Sequence, residues 1–236
     1  MLRRSFRILR KCSCKYLTIR LFVRLFISFY LYIVMEEAFK NIHKKNIWGG
    51  GSGTGSKMSR NNKKYIEKLQ NVIEEKEIHT ICDVGCGDWE FSQHIDFSGK
   101  KYLGIDCIPD VVKKNKEKFT KDNITFEHKV IGKNYLPKGY DLIILKDVIQ
   151  HWTDEDIVSF FEPILKNNKY VFCTNGFKFM RDPKKNNLKK RDVTNQYRYH
   201  PVDIKKYPLN LYQDHCLSTE EYHAKQMNLF HYDKDK

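Results

Sequence analysis

The chain has 236 residues, of which 41% are hydrophobic and 14% aromatic, and this composition predicts one globular domain with a substantial core. The formal net charge is +14, but eight of these charges lie in residues 1–34, which contain no acidic side chain. The remainder is only mildly basic, so the overall charge does not indicate a nucleic-acid-binding protein.

Residues 1–46 form a basic and hydrophobic extension in front of a predicted domain of residues 47–236. Residues 17–35 are apolar, but their uninterrupted part from Leu25 is shorter than the roughly 20 residues that a membrane-spanning helix needs. Three interpretations stay open: a membrane anchor or interfacial helix, a targeting peptide, and translation that begins at Met35. Contact with a membrane through residues 17–35 is therefore an alternative to a purely cytoplasmic location.

Five of the twelve glycines lie in residues 49–55, within the stretch NIWGGGSGTGSKMS. Gly50 and Gly55 have the spacing of a phosphate-binding P-loop, but Ser56 stands where that loop needs its lysine, and Lys57 comes one residue late. No strand-like run precedes the glycines, which argues against a nucleotide triphosphatase. A flexible linker and a lid over a ligand site both remain as interpretations.

Apolar strand-like runs and helical patterns alternate along the rest of the chain. Near-continuous apolar runs such as LIIL and YVFC are typical of parallel strands that are covered on both faces, so we predict a doubly wound α/β fold. The helical patterns lie in residues 60–77, 109–119 and 153–165, and the strand candidates lie within 79–92, 100–110, 124–131, 140–152 and 168–177, with two more at about 208–213 and 226–232.

The seven cysteines are odd in number and include no C-x-x-C pair. Cys82, Cys107 and Cys173 lie in or beside apolar runs, where cysteine behaves as a small hydrophobic residue. We therefore predict reduced thiols, a cytoplasmic location and no metal site.

The ends of the first two predicted strands carry the residues that point to a ligand. The first strand runs into Asp83-Val84-Gly85-Cys86-Gly87, and the second ends at Asp106. Glycines at such a turn let the backbone approach a ligand closely and leave amide groups to bind it, and an acid after the next strand is suited to the ribose of an adenosine-type cofactor. Glu90 stands where a dinucleotide fingerprint needs glycine or alanine, which argues against NAD.

With these motifs, residues 47–232 resemble class I S-adenosylmethionine-dependent methyltransferases. The resemblance implies a Rossmann-like seven-stranded sheet whose last strand is antiparallel, and S-adenosylmethionine as the cofactor. It also implies roles at this site: Gly85 and Gly87 face the methionine part, Asp83 holds its amino group, Asp106 binds the ribose, and Cys107 and Ile108 pack near the adenine. Trp89 replaces the usual third glycine, and we expect it and Lys146 at the cofactor site.

The glycine stretch is similar to a W-G-x-G-S-G-x-G-S segment in a subgroup of these enzymes. The resemblance implies a lid that contributes Trp48, Gly53 and Ser56 to the cofactor site. The same subgroup resembles glycan and small-molecule O-methyltransferases, including enzymes of large DNA viruses.

A hydroxyl acceptor needs a general base, because methyl transfer from a sulfonium otherwise requires only alignment. We expect His151 to be that base and Asp147 to bind the acceptor or orient His151; packing of His151 over the cofactor is the alternative. Candidate substrate-binding residues follow the fourth and fifth strands and the tail: Gln150, Asn175, Arg198 and Asp203. Arg198 and Asp203 could equally form a structural ion pair.

We expect the acceptor to be a hydroxyl of a sugar, glycan or other small molecule. One alternative is RNA or protein methylation, for which the basic residues within 184–191 would contact phosphates. Another is a cofactor-binding protein without catalytic activity.

Overall fold

The computed structural model describes residues 37, 39–47, 51–58, 60–131, 135–178 and 201–233. Seven strands form one sheet in the order β3-β2-β1-β4-β5-β7-β6, in which β1 to β5 are parallel and β7 is antiparallel to both of its neighbours. This order confirms the predicted doubly wound fold and its antiparallel last strand. The strands are β1 Thr80–Val84, β2 Lys101–Asp106, β3 Ile124–His128, β4 Leu142–Lys146, β5 Tyr170–Gly176, β6 Cys216–Tyr222 and β7 Lys225–Phe230.

Four helices accompany the sheet in the described residues: α1 in residues 39–44, α2 Arg60–Glu75, α3 Pro109–Phe119 and α4 Asp154–Asn167. The start of α4 is set by a capping box. The Thr153 hydroxyl accepts a hydrogen bond from the Asp156 amide at 3.0 Å, and the Asp156 carboxylate accepts one from the Thr153 amide at 3.2 Å. The predicted N-cap at Thr153 is thereby confirmed.

The two faces of the sheet are covered by different helices. On one face, Tyr65 and Leu69 of α2 and Val112 of α3 pack into a core with Ile81 and Phe172. On the other face, the apolar side chains of α4 pack against strands β1, β4 and β5; they are Ile157, Phe161, Ile164 and Leu165. Because both faces are buried, the strands carry the continuous apolar runs that the sequence shows.

The strand predicted at 208–213 is wrong. Leu209–His215 form a 3-10 helix, in which Leu209 and Tyr212 are both buried. Residues three apart lie on one face of a 3-10 helix, so this pair gives the same apolar signal as a short strand. The chain enters the sheet only at β6, while the candidate at 226–232 corresponds to β7.

The sheet reverses its strand order between β1 and β4, which are hydrogen-bonded neighbours. In folds of this type a ligand site lies outside the carboxyl ends of the strands at this switch point. None of the helices in the described part of the chain is long and apolar enough to span a membrane, and residues 17–35 lie outside that part.

Candidate functional site

The turn after β1 and the acid that ends β2 meet at the switch point. The Gly87 amide donates to Asp106 Oδ2 at 3.0 Å, and the Ile108 amide donates to Asp106 Oδ1 at 2.9 Å. The Asp106 carboxyl is buried, and this burial raises its pKa, although the two amides and the nearby charge of His43 act in the opposite direction. The two predicted features therefore form one unit at adjacent strand ends.

The backbone amides of this turn are hydrogen-bonded within the protein, while the position of Gly85 and Gly87 beside the methionine part of the cofactor stays a prediction. The amides of Gly85, Gly87 and Asp88 all donate within the protein, to Ile105 O, Asp106 Oδ2 and Ser52 Oγ respectively, so they are not free to bind a ligand. Both glycines have positive φ angles, 71° and 59°. A Cβ atom would come within 2.7 Å of Val148 at Gly85 and within 2.8 Å of Ser52 at Gly87. Close packing around the turn is what requires glycine.

Trp89 belongs to the core and its indole does not face the expected cofactor site. Its φ of 57° lies in the left-handed region that glycine adopts most readily, and its ring packs against Phe97 and Phe126. The indole N–H donates to the Tyr102 hydroxyl at 2.8 Å, and this hydroxyl donates to Asp83 Oδ2 at 2.6 Å. Trp89 is thus connected to the site through Tyr102, which positions the Asp83 carboxylate.

Asp83 is a buried acid whose protonation is poised near neutral pH. Burial raises its pKa to about 6, against the opposing effects of the Tyr102 hydrogen bond and the Lys146 charge. A nearby positive group would therefore favour its ionised form further.

The glycine segment, which we define as residues 51–58, is docked on the turn after β1. The Ser52 amide donates to Asp88 Oδ2 and the Asp88 amide donates to Ser52 Oγ, both at 2.9 Å. Gly51 lies so close that a Cβ atom there would be 2.3 Å from Asp88 Oδ2. Gly53 precedes a short 3-10 helix, Thr54–Ser56, that continues across the strand ends. The two hydrogen bonds between Ser52 and Asp88 hold the segment in this position. A flexible linker would make no such contacts with the domain. Trp48 lies outside the described residues.

Three charged side chains meet at the end of β4: Lys146, Asp147 and Lys225. Nothing in the sequence indicated that Lys225 belongs to this cluster. Lys146 donates to Asp147 Oδ2 at 2.9 Å and to the Gly55 carbonyl at 3.0 Å. Lys225, the first residue of β7, contacts the same Asp147 oxygen. Burial opposes ionisation of Asp147, but the two ammonium groups outweigh it and hold its pKa below the usual range. Burial also lowers the pKa of Lys146. Asp147 is therefore ionised at neutral pH and is a poor proton acceptor.

His151 ends the 3-10 helix Ile149–His151 that follows β4. Its ring meets Phe39 of α1 edge-on, with 5.4 Å between ring centroids, and its Nε2 atom lies 3.5 Å from the side-chain Nε2 atom of Gln150. Among the described residues, Asp147 Oδ2 accepts from Lys146 and Lys225, and Asp147 Oδ1 has no hydrogen-bond partner, so no hydrogen bond joins Asp147 to His151. A role of Asp147 in orienting His151 or in binding the acceptor stays a prediction.

Gln150 and Asn175, two of the expected substrate-binding residues, are buried and accept hydrogen bonds from backbone amides. Gln150 Oε1 accepts from the Gly176 amide at 3.0 Å, and Asn175 Oδ1 accepts from the Gln150 amide at 3.3 Å. Asp203 forms a local turn by accepting from the Lys205 amide at 3.0 Å. These side chains support the strand ends, which leaves direct contact with a substrate as an untested prediction. Arg198 lies outside the described residues.

Helix α1, which lies within the predicted extension of residues 1–46, is placed over the strand ends. Phe39 contacts His151, which follows β4. His43 lies near enough to Asp106, at the end of β2, to lower the pKa of its carboxyl group. Ile42 between them is buried. Cys107 and Ile108 follow the end of β2 on the side of β3. The Cys107 carbonyl oxygen lies 3.2 Å from His128 Nε2, and the Ile108 side chain is buried just before α3. Among the described residues, no group of three His, Cys, Asp or Glu side chains could hold a metal ion.

Comparisons with solved structures give the same fold at low identity. Magnesium protoporphyrin IX methyltransferase from Synechocystis with bound SAH has a TM-score of 0.56 and 14% identity, and the match covers 73% of this chain and 84% of that one. The human N-acetylserotonin methyltransferase in complex with SAM has a TM-score of 0.52 and 20% identity, covering 72% and 55%. For the mitomycin 7-O-methyltransferase MmcR the values are 0.54 and 14%, covering 71% and 54%.

This chain thus spans about half the length of the last two enzymes. No curated protein sequence matches it. A family model described as a methyltransferase domain matches residues 75–232, which is more than half of the chain. The chain therefore belongs to the methyltransferase-domain family.

Proposed function

We propose that this methyltransferase uses S-adenosylmethionine and transfers the methyl group to a hydroxyl of a sugar or other small molecule. The observation that carries the proposal is the 3.0 Å contact between the Gly87 amide and Asp106, which joins the turn after β1 to the acid that ends β2 at the switch point. Two of the solved structures with this fold contain SAH or SAM.

The residues at this place fit such a cofactor. Asp106 Oδ2 accepts from the Gly87 amide and Oδ1 from the Ile108 amide, and because a carboxylate has about four acceptor positions, it can still accept a ribose hydroxyl. Asp83 offers a buried negative charge for an ammonium group. Cys107 and Ile108 lie on the side of Asp106 that faces β3, where an adenine would pack. When bound, the cofactor supplies a methyl group on a sulfonium, which is already reactive.

The chain's own residues then have to hold the acceptor and take its proton. His151 lies beside α1 at the end of β4, and a neutral imidazole there would accept the proton of a hydroxyl. The Asp147 Oδ1 atom is buried and has no hydrogen-bond partner among the described residues, so it is available to the acceptor. The glycine segment, through Gly53 and Ser56, would close over both molecules and exclude water.

The acceptor class is supported by the names of relatives with this fold. The mitomycin 7-O-methyltransferase and the N-acetylserotonin methyltransferase are named for small molecules. The assignment to a sugar or glycan and the viral association rest on the resemblance of the glycine stretch alone. The basic residues for the RNA alternative lie outside the described part of the chain.

The test is to incubate the full chain with methyl-labelled S-adenosylmethionine and three acceptor pools: hydroxylated small molecules and sugars, total RNA, and protein. We expect label in the small-molecule pool, in a form that resists mild alkali, because a methyl ether is stable where a methyl ester is not. Label confined to RNA or protein would contradict the acceptor class. Binding of S-adenosylhomocysteine without transfer to any pool would favour the non-catalytic alternative.

A further inference from the structure

The strands beyond the switch point bring a second set of polar groups together beside the cofactor site. Lys146 pairs with Thr174 across β4 and β5, Thr174 pairs with Met227 of β7, and Lys225 of β7 pairs with Tyr222 of β6. Residues directly opposite each other in neighbouring strands share a face, and alternate residues along a strand do so too. Lys146, Thr174, Lys225 and Tyr222 therefore lie on one face, the one covered by α2.

The glycine segment covers these residues through Gly55, which lies against Lys146 and Lys225. The Gly55 carbonyl accepts a hydrogen bond from Lys146, and a Cβ atom on Gly55 would be 3.7 Å from the Lys225 ammonium and 3.3 Å from Asp147 Oδ2. The Lys146 ammonium group also lies over the Phe91 ring, with 4.8 Å between its nitrogen and the ring centroid. Lys225 has 27% of its side chain exposed and is the cation that a ligand can reach.

Three buried polar atoms in this set have no hydrogen-bond partner among the described residues: Asp147 Oδ1, Thr174 Oγ1 and the Tyr222 hydroxyl oxygen. Thr174 and Tyr222 are 0% and 4% exposed. Tyr222 lies near Asp147, because the charge of Asp147 contributes, after burial, to raising the pKa of its hydroxyl. Buried polar groups are normally hydrogen-bonded to protein, water or a bound molecule, so three unpartnered ones in one place leave hydrogen-bonding capacity that a polar ligand can use.

The charges indicate the sign of the ligand. Lys146 and Lys225 both donate to one oxygen of Asp147, so two cations share one carboxylate. Asp83 also acts on Lys146, but Asp147 is the only described acid that pairs with Lys225. A further anion would complete the pairing of Lys225, because a partly buried charge is stabilised by an opposite one.

We propose that Lys225 and Tyr222 of the β6–β7 hairpin form, with the end of β4, a subsite for an oxyanion of the methyl acceptor, a carboxylate or a phosphate. The proposal rests on the proposed function and narrows it to hydroxyl compounds that carry such a group. Lys225 is the specificity-determining residue, and the Tyr222 hydroxyl is a second donor. The Asp147 Oδ1 atom then faces the neutral, hydroxyl-bearing part of the acceptor.

The carboxylate of the cofactor is the competing occupant, so the experiment is done on protein saturated with S-adenosylhomocysteine. Inorganic phosphate is titrated into this complex by calorimetry at constant ionic strength. The variants are Lys225→Gln and Tyr222→Phe. The control is Lys178→Gln, which removes a 61% exposed lysine that contacts Glu221 on the same hairpin at 3.5 Å.

We expect phosphate to bind the wild-type complex, and its affinity to fall about tenfold or more in Lys225→Gln, since a charge-assisted hydrogen bond is lost. Tyr222→Phe should lower it less, and Lys178→Gln should leave it unchanged. The affinity for S-adenosylhomocysteine should stay the same in all variants, which also shows that they fold.

Three results would overturn the inference. Phosphate affinity that is equal in Lys225→Gln and Lys178→Gln, or absent in the wild-type complex, removes the subsite while the cofactor site stands. Weaker S-adenosylhomocysteine binding in Lys225→Gln assigns the oxyanion to the cofactor and removes the acceptor subsite. Absence of S-adenosylhomocysteine binding in the wild type removes the proposed function together with the subsite.

Discussion

At the scale of single residues, Asp83 is positioned by two aromatic residues that the sequence does not connect to it. Trp89 stands five residues from the end of β1, and Tyr102 is on β2, yet the two form a hydrogen-bonded chain that ends on Asp83 Oδ2. The Asp-x-Gly-x-Gly pattern predicts the turn and the buried acid. The role of Trp89 could not be predicted, because a tryptophan in a glycine position can face either the ligand or the core.

The raised pKa of Asp83 predicts a pH-dependent stability. Its pKa in the folded protein is about 6, while that of an unfolded aspartate is about 3.9. The folded protein therefore binds this proton more tightly than the unfolded chain does. The resulting contribution to stability is fully present below about pH 4 and is lost as the pH rises through about 6.

We expect Asp83→Asn to be more stable than the wild type at pH 8, by up to about 3 kcal/mol, and to lose this advantage as the pH falls toward 4. Urea unfolding of both proteins across this pH range measures the difference. The asparagine carbonyl keeps an acceptor for the Tyr102 hydroxyl, so the change mainly removes the charge. An advantage that is constant from pH 8 to pH 4 would contradict the raised pKa.

The proposed base gives a prediction for activity. His151→Ala should lower kcat by about 100-fold or more with a hydroxyl acceptor, because no other group is proposed to take the proton. His79→Ala, which removes an exposed histidine just before β1 at the opposite edge of the sheet, is the control. Turnover by His151→Ala at the wild-type rate would show that the ring only packs beside α1.

At the scale of elements, the glycine segment is attached to the turn after β1 by the Ser52–Asp88 hydrogen bonds. Gly51→Ala should detach it, because its Cβ atom would lie 2.3 Å from Asp88 Oδ2. Gly99→Ala is a matched control: Gly99 also has a positive φ, 68°, but its Cβ atom would have no neighbour within 4 Å. Each substitution carries a backbone cost of about 1–2 kcal/mol, so a difference between them reports the collision.

Hydrogen exchange measures this attachment directly. We expect the Ser52 and Asp88 amides to exchange faster in Gly51→Ala and at the wild-type rate in Gly99→Ala, because these two amides are donors in the attachment. Weaker S-adenosylhomocysteine binding in Gly53→Ala or Gly55→Ala would support the proposed closure over the cofactor. Unchanged exchange in Gly51→Ala would show that the segment does not depend on these contacts.

The capping box of α4 gives a prediction for stability alone. Thr153→Ala removes the acceptor for the Asp156 amide and should lower the free energy of unfolding by about 1 kcal/mol. Thr153→Ser keeps the hydroxyl oxygen and should recover most of this loss. Equal unfolding midpoints in urea for the wild type and Thr153→Ala would contradict the structural role of the cap.

Most elements could be predicted because their signals are local. The N-cap of α4, the proline in the first turn of α3 and the apolar runs of β4 and β5 each follow from a few neighbouring residues. The segment at 208–213 failed because an apolar pair spaced three apart fits a 3-10 helix as well as a strand. The antiparallel last strand was implied only by the resemblance, and the place of β7 between β5 and β6 was not predicted, since pairing between distant strands leaves no local pattern.

At the scale of the whole molecule, residues far apart in the chain meet at one edge of the sheet. The sequence indicated Gly87 and Asp106 because each ends a predicted strand, and parallel strands end at the same edge. Lys225, Tyr222, Ser52 and α1 gave no such signal. They reach the site through the β6–β7 hairpin and through the segment before α2, whose positions are set by tertiary packing.

The central claim is that the turn after β1 and Asp106 together bind an adenosyl cofactor, and calorimetry with S-adenosylhomocysteine tests it most directly. We expect saturable one-to-one binding to the full chain, weakened about tenfold or more in Asp106→Asn, because a charge-assisted hydrogen bond to the ribose is lost. Asp122→Asn, an exposed acid in the turn before β3, should bind as the wild type does. Absence of binding by the wild type, or equal affinities of Asp106→Asn and Asp122→Asn, would contradict the account.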